Sequence, residues 1–119
     1  MSNQNYEKGF YKKEVFRLVG LIPKGRVVYF GLIAREIGIT AQLVGWILSG
    51  MKSEEWEQIP WQRVVAKNGY ISSLKLGEKG ILQKNLLLED GCEIENNTVN
   101  MSKHCNENLF IEEINRTIS

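Results

Sequence analysis

Three observations predict an α+β winged-helix domain, a helix-turn-helix carrying a small β wing. Two short helices with apolar faces are separated by Gly38-Ile39, Asn68-Gly69 lies between two strand-like runs, and amphipathic helical stretches flank this centre on both sides. Helical periodicity, a tight glycine-containing turn and the strongest short hairpin signal are together what such an architecture requires. The 119 residues suit one domain, because a chain near the usual ~100–150 residues closes a single core.

From Tyr6 to Leu21, the residues Phe10, Val15, Phe16, Leu18 and Val19 recur at helical spacing among Lys12, Lys13, Glu14 and Arg17. Pro23-Lys24-Gly25 ends that helix, since proline cannot continue the hydrogen-bond ladder and glycine accepts unusual turn angles. Arg26-Val27-Val28-Tyr29 reads as a brief extended segment. Helices Phe30 to Ile37 and Thr40 to Ser49 follow, with Leu32, Ile33 and Ile37 burying the first, Leu43, Val44, Ile47 and Leu48 the second, and Thr40 as N-cap.

A polar loop from Met51 to Gln58 leads into Ile59-Pro60-Trp61-Gln62-Arg63-Val64-Val65, where a proline restrains its neighbour and a β-branched pair opens a strand. Trp61 either plugs the core there or is displayed from the loop. Val64-Val65-Ala66 and Tyr70-Ile71-Ser72, around Lys67-Asn68-Gly69, form the predicted wing. Glu78 to Glu89 is a predicted helix with Ile81, Leu82, Leu86, Leu87 and Leu88 apolar and Gly91 at its C-terminal cap. Glu93-Ile94 and Val99-Asn100-Met101 are predicted strands around Asn96-Asn97. Glu107 to Ile118 is an amphipathic helix for which packing on the core and packing on a partner both stay open. The predicted organisation is an N-terminal segment over residues 1–10, the winged-helix domain over 11–94, and a partly helical extension over 95–119.

An apolar share of 43% with 24% charged residues is that of an ordinary globular chain, and no long apolar run or signal-peptide pattern is present, so cytoplasmic residence without membrane association is expected; a monomer is the expected state, although oligomeric state is not read from composition. Cys92 and Cys105 are spaced for neither a zinc site nor a redox pair, and no metal or cofactor is expected. His104, the single histidine, reads as a surface residue. The net charge of +1 divides unevenly, with 13 Lys/Arg against 9 Asp/Glu in residues 1–91 and 2 against 5 in residues 92–119. A mildly basic body of this kind can meet phosphates through a few placed cations, with an affinity that falls quickly as salt is added.

Residues Pro60 to Val64 and their flanks resemble the active-site loop of the O6-alkylguanine-DNA alkyltransferases, in which Pro-Cys-His-Arg-Val carries the cysteine that accepts the alkyl group. Ordered matches run from Tyr11 to Ile94: Ile22-Pro23-Lys24-Gly25-Arg26-Val27, Gly31 with Ile33-Ala34, Ala41 with Val44-Gly45, Asn68-Gly69 with Ile71-Ser72, and Glu89-Asp90-Gly91. Trp61 stands at the cysteine position and Gln62 at the histidine position, which is similar to the alkyltransferase-like branch that keeps the fold and the DNA binding without the acceptor thiol. The resemblance places Asp90 at the glutamate of the proton relay and implies no enzymatic activity, because an indole is no nucleophile and a carboxamide no base near neutral pH.

What the resemblance further implies is a protein that binds double-stranded DNA carrying O6-alkylguanine, enters the minor groove with Thr40 to Ser49, and flips the damaged nucleotide into a pocket. The DNA contacts it implies are Tyr29, Phe30, Thr40, Ala41, Gln42 and Gly45, and the lesion pocket Pro60, Trp61, Gln62, Arg63, Val64, Ser72, Leu74 and Lys75. Handover to nucleotide excision repair proteins would follow. Three family groups differ in this chain: the arginine finger is Gln42, the phosphate-rotating tyrosine is Phe30, and the base-sensing arginine is Leu74. Tyr29 and Lys75 stand next to two of these positions as substitutes for the lost hydroxyl and cation, and weaker lesion discrimination is expected. Arg63 reads as a support for the loop rather than a phosphate contact, Gly45 as a point of close backbone approach, and Trp46 equally as core packing or DNA stacking. Two rival readings are a degenerate paralogue serving as a protein-interaction module, and alkyl transfer through Cys92 or Cys105.

Overall fold

A computed structural model describes residues 3–118, with side-chain surroundings for residues 9–75 and 77–117. Helix α1 (Asn3–Val19) begins and ends earlier than its apolar periodicity suggests. Its last turn tightens at Gly20 and Leu21, whose amides bond to Phe16 and Leu18 carbonyls at 3.0 Å. Strand β1 (Val28–Tyr29) leads directly into α2 (Phe30–Ile37), and α3 (Ala41–Ser49) follows a bend of 110°. Gly38 makes that bend at φ 91°, a left-handed conformation that costs glycine little, and the Thr40 hydroxyl caps α3 by accepting from the Leu43 amide at 3.1 Å. The angle is that of a helix-turn-helix.

The wing differs from its sequence reading. Strand β2 (Val64–Val65) pairs in parallel with β1, in the register Val28 with Val64 and Tyr29 with Val65, instead of with residues 70–72. Asn68-Gly69 still reverses the chain: the Ala66 amide donates to Tyr70 and the Gly69 amide to Ala66. Beyond the turn, however, Tyr70 bridges to Thr98 and Ser72–Leu76 winds into a 3-10 helix. The long-range partners outcompete the local one, leaving a turn where a hairpin was expected.

Helix α4 (Glu78–Glu89) occupies its predicted span, and Gly91 follows it at φ 88°. Gly80 is the point of closest approach, since a Cβ there would lie 2.2 Å from the Leu74 Cα. Strands β3 (Ile94–Glu95) and β4 (Thr98–Val99) form an antiparallel hairpin one residue away from each predicted start, turning on Asn96 and Asn97 at φ 53° and 59°. Two consecutive left-handed residues are the signature of the tight turn that matches strand twist. Helix α5 (Met101–His104) is a single turn where a strand was expected at Met101, capped by the Asn100 side chain, which accepts from the Lys103 amide at 3.2 Å, and α6 (Glu107–Ile118) follows.

Most of the core gathers Val15, Leu18, Leu32, Ile33, Val44, Ile47, Trp61 and Val64, and Phe110 and Ile114 of α6 are buried in it. The C-terminal helix therefore packs on the core. A second cluster joins Val27, Val65, Ile71, Leu87, Cys92 and Val99. His104 is buried rather than superficial: one ring nitrogen accepts from the Glu93 amide at 2.9 Å and the other lies 3.0 Å from the Gly25 carbonyl. It ties the C-terminal extension to the turn after α1, a role that spacing in the chain does not reveal.

Candidate nucleic-acid interface

Helix α3 buries Val44, Ile47 and Leu48, which leaves Thr40, Ala41, Gln42, Trp46 and Ser49 facing outward. Trp46 is 59% exposed, so it is not a core residue. A residue on a helix leans toward the preceding turn, and positions four apart share a face, so its indole covers the side of α3 that carries Gln42. Gly45, half-buried, borders a hollow of about 240 Å³ together with Phe30, Leu48, Trp61, Val64, Ser72, Lys75, Lys79 and Gln83. That is smaller than the ~300–1,000 Å³ of drug-sized sites.

Trp61 is only 5% exposed, yet it forms a wall of this hollow and also of an open groove of about 800 Å³ on its other side. Pro60, Gln62 and Arg63 line the groove, with Trp56, and not the hollow. The sequence-derived pocket is thus divided by the indole itself: Trp61, Val64, Ser72 and Lys75 lie on the α3 side, Pro60, Gln62 and Arg63 on the other. Leu74 lines neither, because its side chain packs against the second core cluster. Tyr29 also turns elsewhere, lining a cleft with Cys105 and Glu107, while the next residue, Phe30, faces the hollow. Consecutive residues point in different directions, so Tyr29 is not in place to replace the hydroxyl that Phe30 lacks.

The segment is held from behind. Arg63 donates through Nε and Nη2 to the Asp90 carboxylate at 2.9 and 3.0 Å, and through Nη1 to the Ile22 carbonyl at 2.8 Å. Gln62 adds an amide donor to Asp90 at 3.2 Å. Burial alone would push the Asp90 carboxyl up, but the hydrogen bonds from Arg63 and Gln62 and the charges of Arg63 and Lys24 outweigh it and hold the group below its ordinary value. The guanidinium and carboxamide are therefore committed to positioning the loop.

Two residues of α4 complete the site without having been singled out in the sequence. The buried Gln83 amide donates to the carbonyls of Gln62 and Val64 at 3.1 and 3.0 Å, and its oxygen accepts from the Ser73 hydroxyl. Lys79 donates to the Leu48 and Ser49 carbonyls at the end of α3 at 3.2 and 3.4 Å, with its ammonium 5.3 Å from the Trp61 ring centre and 5.5 Å from that of Trp56. The two indoles are 5.9 Å apart. A polar residue inside an otherwise apolar helix pattern was the signal available for Gln83; for Lys79 there was none. Neither thiol borders the hollow or the groove, Cys92 lying in the second core cluster and Cys105 by Tyr29, and burial raises both from the ordinary thiol value.

A helix-turn-helix with an outward-facing second helix beside a walled hollow defines a DNA-binding-domain architecture. The chain belongs to the 6-O-methylguanine DNA methyltransferase family: residues 10–92 match that family's DNA-binding domain. Alkyltransferase-like protein 1 of Schizosaccharomyces pombe is 37% identical over 87 residues, spanning 71% of this chain and 78% of the relative. A bifunctional methyltransferase/endonuclease of Picrophilus torridus is 28% identical over 92 residues, 76% of this chain but 30% of that longer protein. The crystal structure of S. pombe Atl1 with damaged DNA containing O6-carboxymethylguanine superposes with a TM-score of 0.75 at 28% identity, over 82% of this chain and 95% of that one. A second S. pombe structure with DNA gives 0.65 at 28% identity, over 76% and 86%.

Proposed function

We propose that this chain is a non-enzymatic reader of alkylated DNA, which sets α3 in the minor groove, receives a flipped O6-alkylguanine in the hollow beside Trp61, and leaves removal of the lesion to nucleotide excision repair proteins. The observation that carries this reading is that Trp61 walls a hollow opening beside the outward face of α3, with Phe30 and Gly45 on the same rim. An indole there offers an apolar, polarisable surface to an alkyl group or base and no nucleophile to attack it. Unstacking a nucleotide costs a few kcal/mol, which Gln42 and Trp46 would offset by filling the gap left in the duplex.

Fluorescence anisotropy at low salt, with matched duplexes containing guanine or O6-methylguanine, tests the proposal. Tighter binding to the alkylated duplex is expected, whereas equal and negligible binding to both would remove it. A decayed module kept for protein contacts is the second reading, favoured by the exposed Phe10, Ile81, Leu88 and Leu109 on helices other than α3. Gln42→Arg separates the two: if it creates DNA binding that the parent chain lacks, the nucleic-acid role has decayed.

A further inference from the structure

We propose that Lys79 reads the seated base and gives the hollow a preference for guanine adducts that carry a negative charge, an inference that rests on the DNA-reading function above. Leu74, at the position of the sensing cation, is partly buried against the second core cluster and does not border the hollow. Among the described residues, those lining the hollow nevertheless include two lysines, Lys75 and Lys79, and no carboxylate. Lys75 is exposed, while Lys79 is half-buried and pinned.

What pins Lys79 makes it a fixed charge. An ammonium has three N–H donors, and two of them are taken by the Leu48 and Ser49 carbonyls, where the negative end of the α3 dipole also favours a cation. The faces of Trp56 and Trp61 cover it at 5.5 and 5.3 Å, and among the described residues it makes no ion pair. Burial pushes the ammonium below its ordinary value, in keeping with a site partly shielded from water. A charge held in such a place acts more strongly on a neighbour than a solvated one does. An O6-methyl group gives it nothing to pair with, whereas the carboxylate of an O6-carboxymethyl group accepts the remaining N–H. The occupant that this hollow favours is therefore a guanine whose adduct ends in an anion.

The test compares three otherwise identical duplexes, containing guanine, O6-methylguanine and O6-carboxymethylguanine, against the full chain and two variants. Lys79→Gln keeps N–H donors for the helix-end carbonyls and removes the charge, while Lys79→Arg keeps the charge; thermal unfolding verifies that each variant is folded. The expected result is a preference of about tenfold for carboxymethyl over methyl in the parent, close to one in Lys79→Gln and recovered in Lys79→Arg. An unchanged ratio in Lys79→Gln would overturn the assignment. So would an equal loss on all three duplexes, which would make Lys79 a phosphate contact. If the parent prefers neither lesion over guanine, the reading of the function falls as well, an outcome distinct from failure of Lys79 alone.

Discussion

Helix α3 and the Trp61 segment border one hollow, and the outward face of the helix and the segment are built in opposite ways. Thr40, Ala41, Gln42 and Trp46 are exposed, and the side-chain hydrogen bonds of this face are local, from the Leu43 amide to Thr40 and from Ser49 to the Trp46 carbonyl, while Lys79 of α4 reaches only the helix-end carbonyls of Leu48 and Ser49. Trp61, Gln62 and Val64 are buried, and their segment is tied to residues far away in the chain: Ile22 and Asp90 through Arg63, and α4 through Gln83. One region displays chemistry that the fold does not need. The other is a seat whose polar groups are already paired inside the protein. Substitutions in the seat should therefore cost stability first, and substitutions on α3 should cost binding alone.

The largest expected effect is at Asp90. Asp90→Asn leaves the Arg63 guanidinium, 16% exposed, without its counter-charge, and breaking such a pair from one side should cost about 3 kcal/mol in denaturant unfolding at pH 7. The pH dependence has a definite sign. The folded Asp90 carboxyl titrates below its unfolded value of about 3.9, so the pair's contribution is complete above that value and is lost as the pH falls through the folded one. The stabilities of parent and variant should converge below about pH 4; a constant gap on acidification would mean that the carboxylate is not what holds the loop. Gln83→Leu comes next, at about 2 kcal/mol, because it removes the donor shared by two carbonyls and leaves the Ser73 hydroxyl without its partner.

The same contrast governs what was legible from the chain alone. The α2, α3, α4 and α6 spans and the Asn96-Asn97 turn could be read because caps, glycines and apolar periodicity are local signals. The parallel pairing of Val28 with Val64 and the burial of His104 depend on partners dozens of residues away, and the 3-10 turn at 72–76 on packing against α4, about which periodicity says nothing. In the site, the resemblance led to Trp61 and to the face of α3. It could not show that the indole separates Gln62 and Arg63 from the hollow, that Leu74 packs against the second core cluster, or that Lys79 of a neighbouring helix places a cation on the hollow's lining.

On the displayed face the expected effect is smaller and of another kind. Trp46→Ala should leave the unfolding midpoint within experimental error, since the ring is 59% exposed and packs into no core. Duplex affinity should fall by about 1–2 kcal/mol, the loss of one stacking contact. If stability falls and affinity does not, Trp46 serves the fold, and the division between the two regions fails at its clearest position.

The smallest expected effect is none at all, and it bears on whether chemistry can occur outside the seat. Burial raises the thiols of Cys92 and Cys105, with the carboxylate of Asp90 adding to the first and that of Glu107 to the second, so both are protonated at neutral pH. The thiolate is the nucleophile in alkyl transfer, and neither sulfur borders the hollow. Intact-mass spectrometry after prolonged incubation with an O6-methylguanine duplex should return the unmodified chain. An added methyl mass mapped to Cys92 or Cys105 would break the comparison from an unexpected side, because a residue of the structural half would then be carrying out the reaction that the indole in the seat cannot.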